Sequence, residues 1–448
     1  MKKWRMRRGI SAGTIVTLAL TAVLLLTSCI VYARLTGENG AIHIDPQLIN
    51  SSLSELLSGL RSDPAQAPES TPSPTPAARA KQESDDTLVF AAASATEAPT
   101  IYMPSVVTLN AAGQVMMGSE LRASGRQSNG MYDFSEIFQP VSGALGGANL
   151  SIATLRGTLD DGSAGSFGDY RAPDALAIAL KGAGVNLVNL GTDRILDYGV
   201  SGVSATRSVL QQRNLSSAGA YTSEQEANAR GVVEISGIKV GVVSYTTSVS
   251  AAGQKAASAE ERQYSVRQYD AQTAAQDISA LRDAGAEVVI VLAHWGKRGD
   301  TEPSKATLEQ ANALARAGAD VILGTGPTNV HRMEKKQMDD GRTVFVAYSL
   351  GNFLTDDSRE TNDITGMVLH LEMEWNSQTQ TLSFRDCWYM PTWIMRWRDG
   401  NTARYRIVPA GSSTLPENMT DSIYVNMKKS YQALTDKLGT EAAAPRAE

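Results

Sequence analysis

Two of the four histidines in this chain follow apolar segments, in loops where an imidazole is free to take part in chemistry. His294 comes just after the apolar residues 288–292 and precedes Trp295. His331 ends the polar loop at 324–331. A neutral imidazole can bind a divalent metal or accept a proton near neutral pH. We therefore regard His294 as the best candidate for a catalytic residue. A strand-end turn with the tryptophan in the core is the competing interpretation.

Charged side chains occupy two further loops of the same kind. Arg156 follows one apolar segment, and Asp193, Arg194 and Asp197 lie close together after another. A guanidinium can bind a carboxylate or phosphate, whereas a carboxylate can bind a metal or neutralise an arginine. Each arginine taken alone could equally be a solvated surface residue. The remaining candidates for ligand binding are Gln114, Thr328, Ser349 and Asn352.

The elements that would position these loops repeat three times along the chain. Each repeat has an amphipathic helix, a glycine and a β-branched strand. The helix and strand ranges are 173–181 with 185–190, 270–284 with 288–292, and 307–317 with 321–323. A glycine after each helix suits a left-handed cap, and the alternation predicts a sheet with parallel pairs. Because the carboxyl ends of parallel strands meet at one edge, we expect the candidate residues to converge there.

Strand patterns without helices surround these repeats. Residues 105–109 form a predicted strand that leads into a loop at 111–118. Residues 231–235 and 238–245 form a predicted hairpin with a two-residue turn. The later strands, which we expect to form an antiparallel closing set, cover residues 343–349, 366–375, 382–390 and 404–409.

The N-terminus has the pattern of a membrane anchor. Five basic residues lie within the first eight positions, and residues 9–33 form an uncharged, mostly apolar segment long enough to span a bilayer as a helix. Because such basic residues stay in the cytoplasm, we expect a single-pass anchor in the plasma membrane with the rest of the chain outside. Residues 26–29 also resemble a lipobox, so a lipoprotein that begins at Cys29 is the competing interpretation.

The chain after the anchor divides into a linker, a domain and a C-terminal segment. Residues 34–103 are rich in Ser, Pro, Ala and Thr, a composition typical of a disordered, extended linker. Residues 104–410 carry the helix and strand patterns of one folded domain. Within residues 411–448 we expect an amphipathic helix at 421–438 and a frayed tail at 439–448.

Charge and cysteine usage narrow the possible functions. The formal net charge is -6 and no basic cluster occurs beyond the N-terminus, which argues against nucleic acid as a partner. Cys387 is the single cysteine after the predicted anchor, so we expect no internal disulfide there. The sequence also lacks the GxSxG, HExxH and GKS or GKT motifs of common hydrolases and phosphate-binding loops.

The loops around His294 resemble those of a known family. Residues 293–296, 324–331 and 348–353 correspond to stretches that read HWGxEY, GxHPHxxQ and YSLGNF in the CapA family, the poly-γ-glutamate capsule synthesis proteins. The resemblance covers residues 104 to about 390 and implies a domain similar to the calcineurin-like metallophosphatases. The implied fold class is α/β, an α/β/β/α sandwich preceded by one transmembrane helix and a disordered linker. A bacterial source is implied by the same resemblance.

The resemblance also implies that most metal ligands of the family are replaced in this chain. Gln114 stands where the family has an aspartate, Arg156 where it has a glutamate, and Arg194 where it has a histidine. The histidines that flank Pro327 in the family are absent, so only His294 remains of the ligand set. Arginine stays protonated and cannot bind a divalent cation. We therefore expect neither a bound metal nor another cofactor.

The function implied by the resemblance concerns a polymer of the cell envelope. We expect an extracytoplasmic protein, tethered to the bacterial plasma membrane, in the synthesis, export or attachment of poly-γ-glutamate or another anionic polymer. In this hypothesis Arg156 and Arg194 bind a carboxylate or phosphate of the polymer, while His294 and Trp295 line the pocket wall.

Two alternative functions stay open at this stage. The first is an active metal-dependent hydrolase of phosphoester or amide bonds, with a rearranged ligand set of His294, Asp193, Asp197 and His331. The second is a structural scaffold that has envelope proteins as partners and a vestigial pocket. Metal content separates the first alternative from the main hypothesis, and pocket substitutions without a phenotype would favour the second.

Overall fold

The structure, a computed structural model, describes residues 104–160, 169–229, 231–357 and 360–448. Its strands are β1 (Ser105–Met116), β2 (Leu150–Leu155), β3 (Thr158–Leu159), β4 (Arg171–Ala172), β5 (Leu187–Asn189), β6 (Ser216–Ala218), β7 (Val232–Ile235), β8 (Ile238–Thr246), β9 (Val288–His294), β10 (Val321–Thr325), β11 (Met333–Gln337), β12 (Thr343–Ala347), β13 (Asn352–Thr355), β14 (Thr365–Asn376), β15 (Thr381–Asp399), β16 (Thr402–Pro409) and β17 (Ala444–Pro445). Its α-helices are α1 (Ser119–Ser124), α2 (Ser135–Phe138), α3 (Ser142–Leu145), α4 (Ala175–Gly182), α5 (Gly199–Gln212), α6 (Glu224–Asn228), α7 (Ala251–Ala256), α8 (Ala259–Ser265), α9 (Ala271–Asp283), α10 (Lys305–Ala317) and α11 (Asp421–Leu438).

The predicted anchor at 9–33 and the predicted linker at 34–103 lie outside the described residues. Within the part of the chain that the structure describes, no helix has both the length and the apolar composition needed to cross a membrane.

The three predicted helix–strand repeats are confirmed. Helix α4 leads to β5, α9 leads to β9, and α10 leads to β10. Two of these helices begin with side-chain caps, in which Asp270 accepts a hydrogen bond from the N–H of Thr273 and Ser304 accepts one from Thr307. Gly318 follows α10 with a φ of 113°, the left-handed conformation expected for its cap. Local sequence signals thus place these helices correctly.

Two sheets pack face to face between two helical layers. The larger sheet has the order β16-β15-β14-β1-β2-β5-β6, with β13 beside β1 and β17 beside β15, and the smaller has the order β11-β12-β10-β9-β8-β7. Val288, Ile290 and Leu292 of β9 enter the core between the sheets. Val289 and Val291 enter a second core with α9 and α10. Because side chains alternate along a strand, one apolar run serves both cores and yields the expected α/β/β/α layers.

The outer face of the larger sheet is covered by a separate set of helices. Ala153 of β2 and Val188 of β5 share a core cluster with Leu176 of α4, Leu210 of α5 and Phe138 of α2. The sequence pattern does not predict α5, because serine and glycine interrupt its apolar stripe. This helix forms when its few apolar residues are buried against the sheet.

The predicted hairpin is confirmed as β7 and β8. Its turn residues Ser236 and Gly237 have φ values of 52° and 78°, so both adopt the left-handed conformation. A two-residue turn of this kind matches the twist of antiparallel strands. The turn chemistry in the sequence therefore identifies the hairpin.

Strand β1 is longer than predicted, and the expected loop at 111–118 is wrong as far as Met116. Residues 105–112 pair antiparallel with β14, whereas Gln114 and the residues after it pair in parallel with β13. The change of partner falls at Gly113, where a Cβ atom would lie 2.2 Å from the carbonyl oxygen of Gly351. The missing side chain lets the turn before β13 approach the strand.

The predicted antiparallel closing set is wrong for one of its members. Strands β14, β15 and β16 do form an antiparallel ladder in the larger sheet. Strand β12, however, pairs in parallel with β10 in the smaller sheet and antiparallel with β11, a strand that the pattern does not predict. Alternation of side chains specifies the faces of a strand and not the direction of its partner. The sheet to which β12 belongs is set by packing.

The frayed tail predicted at 439–448 is wrong, although α11 has its predicted bounds. Ala442 and Ala443 are buried in the core between the sheets, and β17 pairs in parallel with β15. The guanidinium of Arg446 lies 4.3 Å from the ring centre of Trp388. The two alanine side chains are small enough to be buried beside the edge of the sheet. The polar, alanine-rich composition of this segment does not predict such burial.

Candidate functional site

The ends of parallel strands carry the polar side chains that the sequence predicts to converge. Gln114 lies in β1, Arg156 follows β2 and Asp193 follows β5 in the larger sheet. His294 and Thr325 end β9 and β10 in the smaller sheet. Strands β1, β2 and β5 are parallel to one another, as are β9 and β10. Their carboxyl ends therefore point in the same direction within each sheet.

Asp193 lies at the centre of the site, between Arg156 and His294. Its Oδ1 and Oδ2 accept hydrogen bonds from Nε and Nη2 of Arg156 at 2.8 and 2.9 Å. The same Oδ1 lies 3.2 Å from Nε2 of His294, whose Nδ1 lies 3.3 Å from Oγ1 of Thr325. The backbone N–H of Ser250 donates to the carbonyl oxygen of Asp193 at 2.8 Å. One aspartate thus joins the two sheets.

Burial and hydrogen bonding act in opposite directions on the pKa of Asp193. Burial raises this pKa, but the hydrogen bonds from Arg156 and His294 outweigh burial and hold it well below its ordinary value. Burial lowers the pKa of Arg156, and its pairing with Asp193 raises that pKa above the ordinary value. The two groups therefore form an ion pair at neutral pH.

Arg194 and Asp197 form a second pair beside the first. Nη1 of Arg194 lies 2.9 Å from Oδ2 of Asp197, and the hydroxyl of Ser250 donates to Oδ1. Burial raises the pKa of Asp197 above its ordinary value, although Ser250 and Arg194 act to lower it. The Arg194 guanidinium lies 4.4 Å from the ring centre of Tyr170, and its Nε has no hydrogen-bond partner among the described residues. Arg194 thus has one buried donor that no described residue satisfies.

Arg298 forms a third group that the sequence pattern does not single out. It contacts the carboxylate of Asp357, and its Nη2 lies 3.1 Å from Oδ2 of Asp363. The hydroxyl of Tyr170 donates to Asp357 at 3.4 Å, which connects this group to Arg194. Arg298 and Asp357 follow shortly after the predicted residues His294 and Asn352. Their position in those loops is the signal that could have found them.

Gln114 and Asn352 form a neutral part of the network. Nε2 of Gln114 donates to Oδ1 of Asn352 at 2.6 Å, and Nδ2 of Asn352 donates to the carbonyl oxygen of Asp363 at 2.8 Å. Both amide side chains are 0% exposed. The Oε1 atom of Gln114 has no hydrogen-bond partner among the described residues. The site therefore contains one buried acceptor in addition to its ion pairs.

The other predicted site residues support the loops from within the fold. Trp295 is buried in the core beneath the helices, and its indole N–H donates to a backbone carbonyl at 2.8 Å. Thr328 accepts from a backbone N–H, and Ser349 donates to a backbone carbonyl. His331 is buried and donates through Nε2 to the carbonyl oxygen of Asp300 at 2.8 Å. None of the contacts given for these four side chains is with Asp193.

The charged side chains are the parts of the site that reach solvent. The side chains of Arg156, Arg194 and Arg298 are 14%, 27% and 28% exposed. Each arginine is bound to an aspartate, so an incoming carboxylate or phosphate has to compete for the guanidinium or use its remaining donors. Among the described residues, no group of three or more His, Cys, Asp and Glu side chains is arranged to hold a metal ion.

Two packed sheets between helical layers, with an ionic network at the strand ends, define an α/β/β/α sandwich protein with a charged site shared by both sheets. Within this class the sequence comparison identifies the family. The model of the family "Bacterial capsule synthesis protein PGA_cap" matches residues 108–357, more than half of the chain. This chain belongs to that family, and the resemblance to the capsule synthesis proteins is confirmed.

Two curated relatives carry related names. The chain is 28% identical over 195 residues to the PGA biosynthesis protein CapA of Bacillus subtilis (strain 168), a match that covers 43% of this chain and 49% of that protein. It is 28% identical over 197 residues to the capsule biosynthesis protein CapA of Bacillus anthracis, covering 43% of this chain and 46% of that protein. The chain thus spans about half the length of the curated relatives it matches.

Solved structures provide more distant likenesses. A phosphatase from Mycoplasma pneumoniae has a TM-score of 0.37 and 15% identity, covering 64% of this chain and 95% of the other. The calcineurin-like phosphoesterase YfkN from Bacillus subtilis has a TM-score of 0.37 and 10% identity, covering 75% of this chain and 99% of the other. Because these TM-scores are low, the fold of this chain is assigned from its own strands and helices.

Proposed function

We propose that this chain is a membrane-tethered, extracytoplasmic CapA-like protein in the synthesis, export or attachment of poly-γ-glutamate or another anionic envelope polymer, without a working metal centre. Membership of the capsule synthesis family supports the polymer class. The basic N-terminus followed by the apolar residues 9–33 supports the membrane tether and the extracytoplasmic location. Envelope proteins are further candidate partners.

The cluster of Arg156, Asp193 and His294 is the observation that carries the proposal. A divalent metal centre needs several deprotonated oxygen or nitrogen donors. Here both carboxylate oxygens of Asp193 accept hydrogen bonds from Arg156, and Asp197 is paired with Arg194. Arginine supplies a permanent positive charge and no metal-ligand atom. This donor set does not fit the metal centre that the family resemblance implies.

Arg194 is the group best suited to bind an anion of the polymer. Its side chain is 27% exposed, although its Nε atom is buried. A polymer carboxylate can pair with the exposed part of the guanidinium while Asp197 keeps its hydrogen bond to Nη1. Because burial raises the pKa of Asp197, a proton taken up by this carboxyl would release the guanidinium further. Burial raises the pKa of the neighbouring Tyr170, whereas the positive charge of Arg156 acts, like that of Arg194, to lower it.

A metal-dependent hydrolase is the second candidate function, and one contact favours it. His294 Nε2 lies 3.2 Å from Asp193 Oδ1, so an imidazole and a carboxylate, both ordinary metal ligands, are adjacent. In this alternative Asp197 would have to move to join them, because no third such ligand among the described residues is placed to hold a metal with these two. The alternative requires the displacement of Arg156 from Asp193, which the bidentate hydrogen bonds oppose.

Metal content and polymer binding of the full-length protein distinguish the two functions. After exposure to zinc, manganese and iron, we expect plasma mass spectrometry to find no near-stoichiometric metal, and we expect labelled poly-γ-glutamate to bind in the presence of a chelator. Arg156→Ala/Arg194→Ala should abolish this binding, and Arg194→Ala alone should weaken it at least tenfold. The control Arg213→Ala/Arg316→Ala removes two exposed arginines and should bind as the native protein does. Stoichiometric metal that is lost in His294→Ala would overturn the proposal.

A further inference from the structure

A cleft of about 410 Å³ lies between the C-terminal helix α11 and three chain segments next to the ionic network. Helix α11 contributes Lys429, Ser430, Ala433, Leu434 and Lys437 to its lining. The segment after β9 contributes Thr301, the segment after β10 contributes Asn329 and Val330, and the chain at the start of β14 contributes Asn362 and Thr365. The lining does not include Arg156, Asp193, Arg194 or His294 of the ionic network. The cleft is therefore a separate place where a ligand could bind.

The lining of this cleft has a positive charge. Two lysines and no acidic residue are found among its described lining residues. Lys437 is held within the fold, because its ammonium donates to the carbonyl oxygens of Thr301 and Val330 and lies 3.1 Å from Glu302. Lys429 is exposed and has no hydrogen bond or ion pair with any described residue. Lys429 is thus the cation available to an anionic ligand.

The cleft also has a buried hydrogen-bond acceptor. Asn329 is 7% exposed, and its Nδ2 donates to the carbonyl oxygen of Asp300 at 3.0 Å. This hydrogen bond fixes which end of the amide is the oxygen. The Oδ1 atom has no partner among the described residues. Because buried polar atoms are nearly always hydrogen-bonded, this oxygen suits an N–H or O–H donor of a ligand.

We propose that the cleft binds one carboxylate-bearing amide unit of an acidic polyamide chain. The carboxylate pairs with Lys429, the amide N–H donates to Oδ1 of Asn329, and the methylene groups contact Val330 and Leu434. The inference rests on the proposed function, to which it adds a second contact for the polymer. Asn362 in the lining directly precedes Asp363, which contacts Arg298. The cleft and the network therefore share a loop.

Binding of an oligo-γ-glutamate of defined length to the full-length protein tests this inference. Lys429→Glu should weaken binding at least tenfold, since it replaces the attracting charge with a repelling one, and Asn329→Ala should weaken it severalfold. The matched control is Lys305→Glu, which reverses a helical lysine whose side chain is 91% exposed, and its affinity should stay within twofold of native. Thermal unfolding of each variant verifies the fold.

The possible results separate the cleft from the proposed function. Native affinity in Lys429→Glu, together with loss of binding in Arg156→Ala/Arg194→Ala, would overturn the cleft and leave the proposed function standing. Failure of the native protein to bind the oligomer would overturn both. Competition by inorganic phosphate as strong as that by the oligomer would overturn the assignment to an amide unit. Phosphate can pair with the ammonium of Lys429, but it has no amide N–H.

Discussion

Arg156 determines the charge state of the candidate site. Both of its hydrogen bonds go to Asp193, and they keep the pKa of this carboxyl low although burial acts to raise it. Asp193 therefore remains ionised, and both of its carboxylate oxygens are hydrogen-bonded to Arg156. A permanently charged arginine at this position therefore affects the chemistry available to the whole pocket.

Replacing Arg156 with alanine should lower the free energy of unfolding by roughly 2–4 kcal/mol, because a largely buried carboxylate loses its main partner. Urea unfolding at pH 7 measures this change. Asp193 has a lowered pKa, so its contribution is full above the ordinary aspartate value of about 4 and is lost as the pH falls below it. The difference between native protein and variant should therefore shrink in acid.

Two further variants make this prediction specific. Arg156→Ala/Asp193→Asn removes the charge that Arg156→Ala leaves unpaired, so it should recover a large part of the lost stability. Arg213→Ala removes an exposed arginine and should change stability by less than about 0.5 kcal/mol. An unchanged urea midpoint in Arg156→Ala would show that the ion pair does not stabilise the fold.

At the scale of elements, the sheet edges are where the structure departs most from the sequence pattern. Strand β15 pairs with β14 along one side, with β16 over residues 392–399 on the other, and with β17 at Trp388 and Tyr389. The tail thus covers part of an edge that would otherwise expose unpaired backbone groups. The buried alanines next to β17 extend the core between the sheets.

Deletion of residues 439–448 should destabilise the protein by roughly 1–3 kcal/mol, because it exposes the edge of β15 and the core around Ala442 and Ala443. We expect a melting temperature lower by roughly 2–6 °C. Arg446→Ala is the matched control, since it removes the contact with Trp388 but keeps the strand pairing, and its effect should be smaller. A deletion variant that melts with the native protein would contradict the structural role of the tail.

At the scale of the whole molecule, the candidate site exists because two sheets are packed together. Arg156 and Asp193 follow strands of the larger sheet, whereas His294 ends a strand of the smaller one. Arg298 and Asp357, which are far apart in the chain, are likewise brought into contact. The geometry of the site therefore depends on the core between the sheets.

The contribution of His331 and His370 to the stability of the domain should fall as the pH is lowered from about 7 toward 5. Burial lowers the pKa of both His331 and His370 below the ordinary value of about 6.5. At these two positions the unfolded chain takes up protons at a higher pH than the folded one, so their contribution to stability is full above about 6.5 and decreases below it. Chemical unfolding across this range measures the slope.

The variant His331→Gln/His370→Gln should flatten this pH dependence. Glutamine does not titrate, so the unfolded state no longer gains these two protons. Gln can replace the donor functions of the two rings, which bond Asp300 and Asn110. A slope as steep as that of the native protein would assign the pH dependence to other groups.

The three helix–strand repeats, the hairpin at Ser236 and Gly237, and the positions of the candidate residues near strand ends could be predicted from the amino-acid sequence alone. These features depend on local alternation, caps and turn residues, which neighbouring residues in the chain specify. The folded chain was needed to show that β12 belongs to the smaller sheet, that Arg156 binds Asp193, and that Arg298 contacts Asp357. Those pairings join residues that are far apart in the chain and depend on which surfaces pack together. Local sequence patterns do not specify such distant partners.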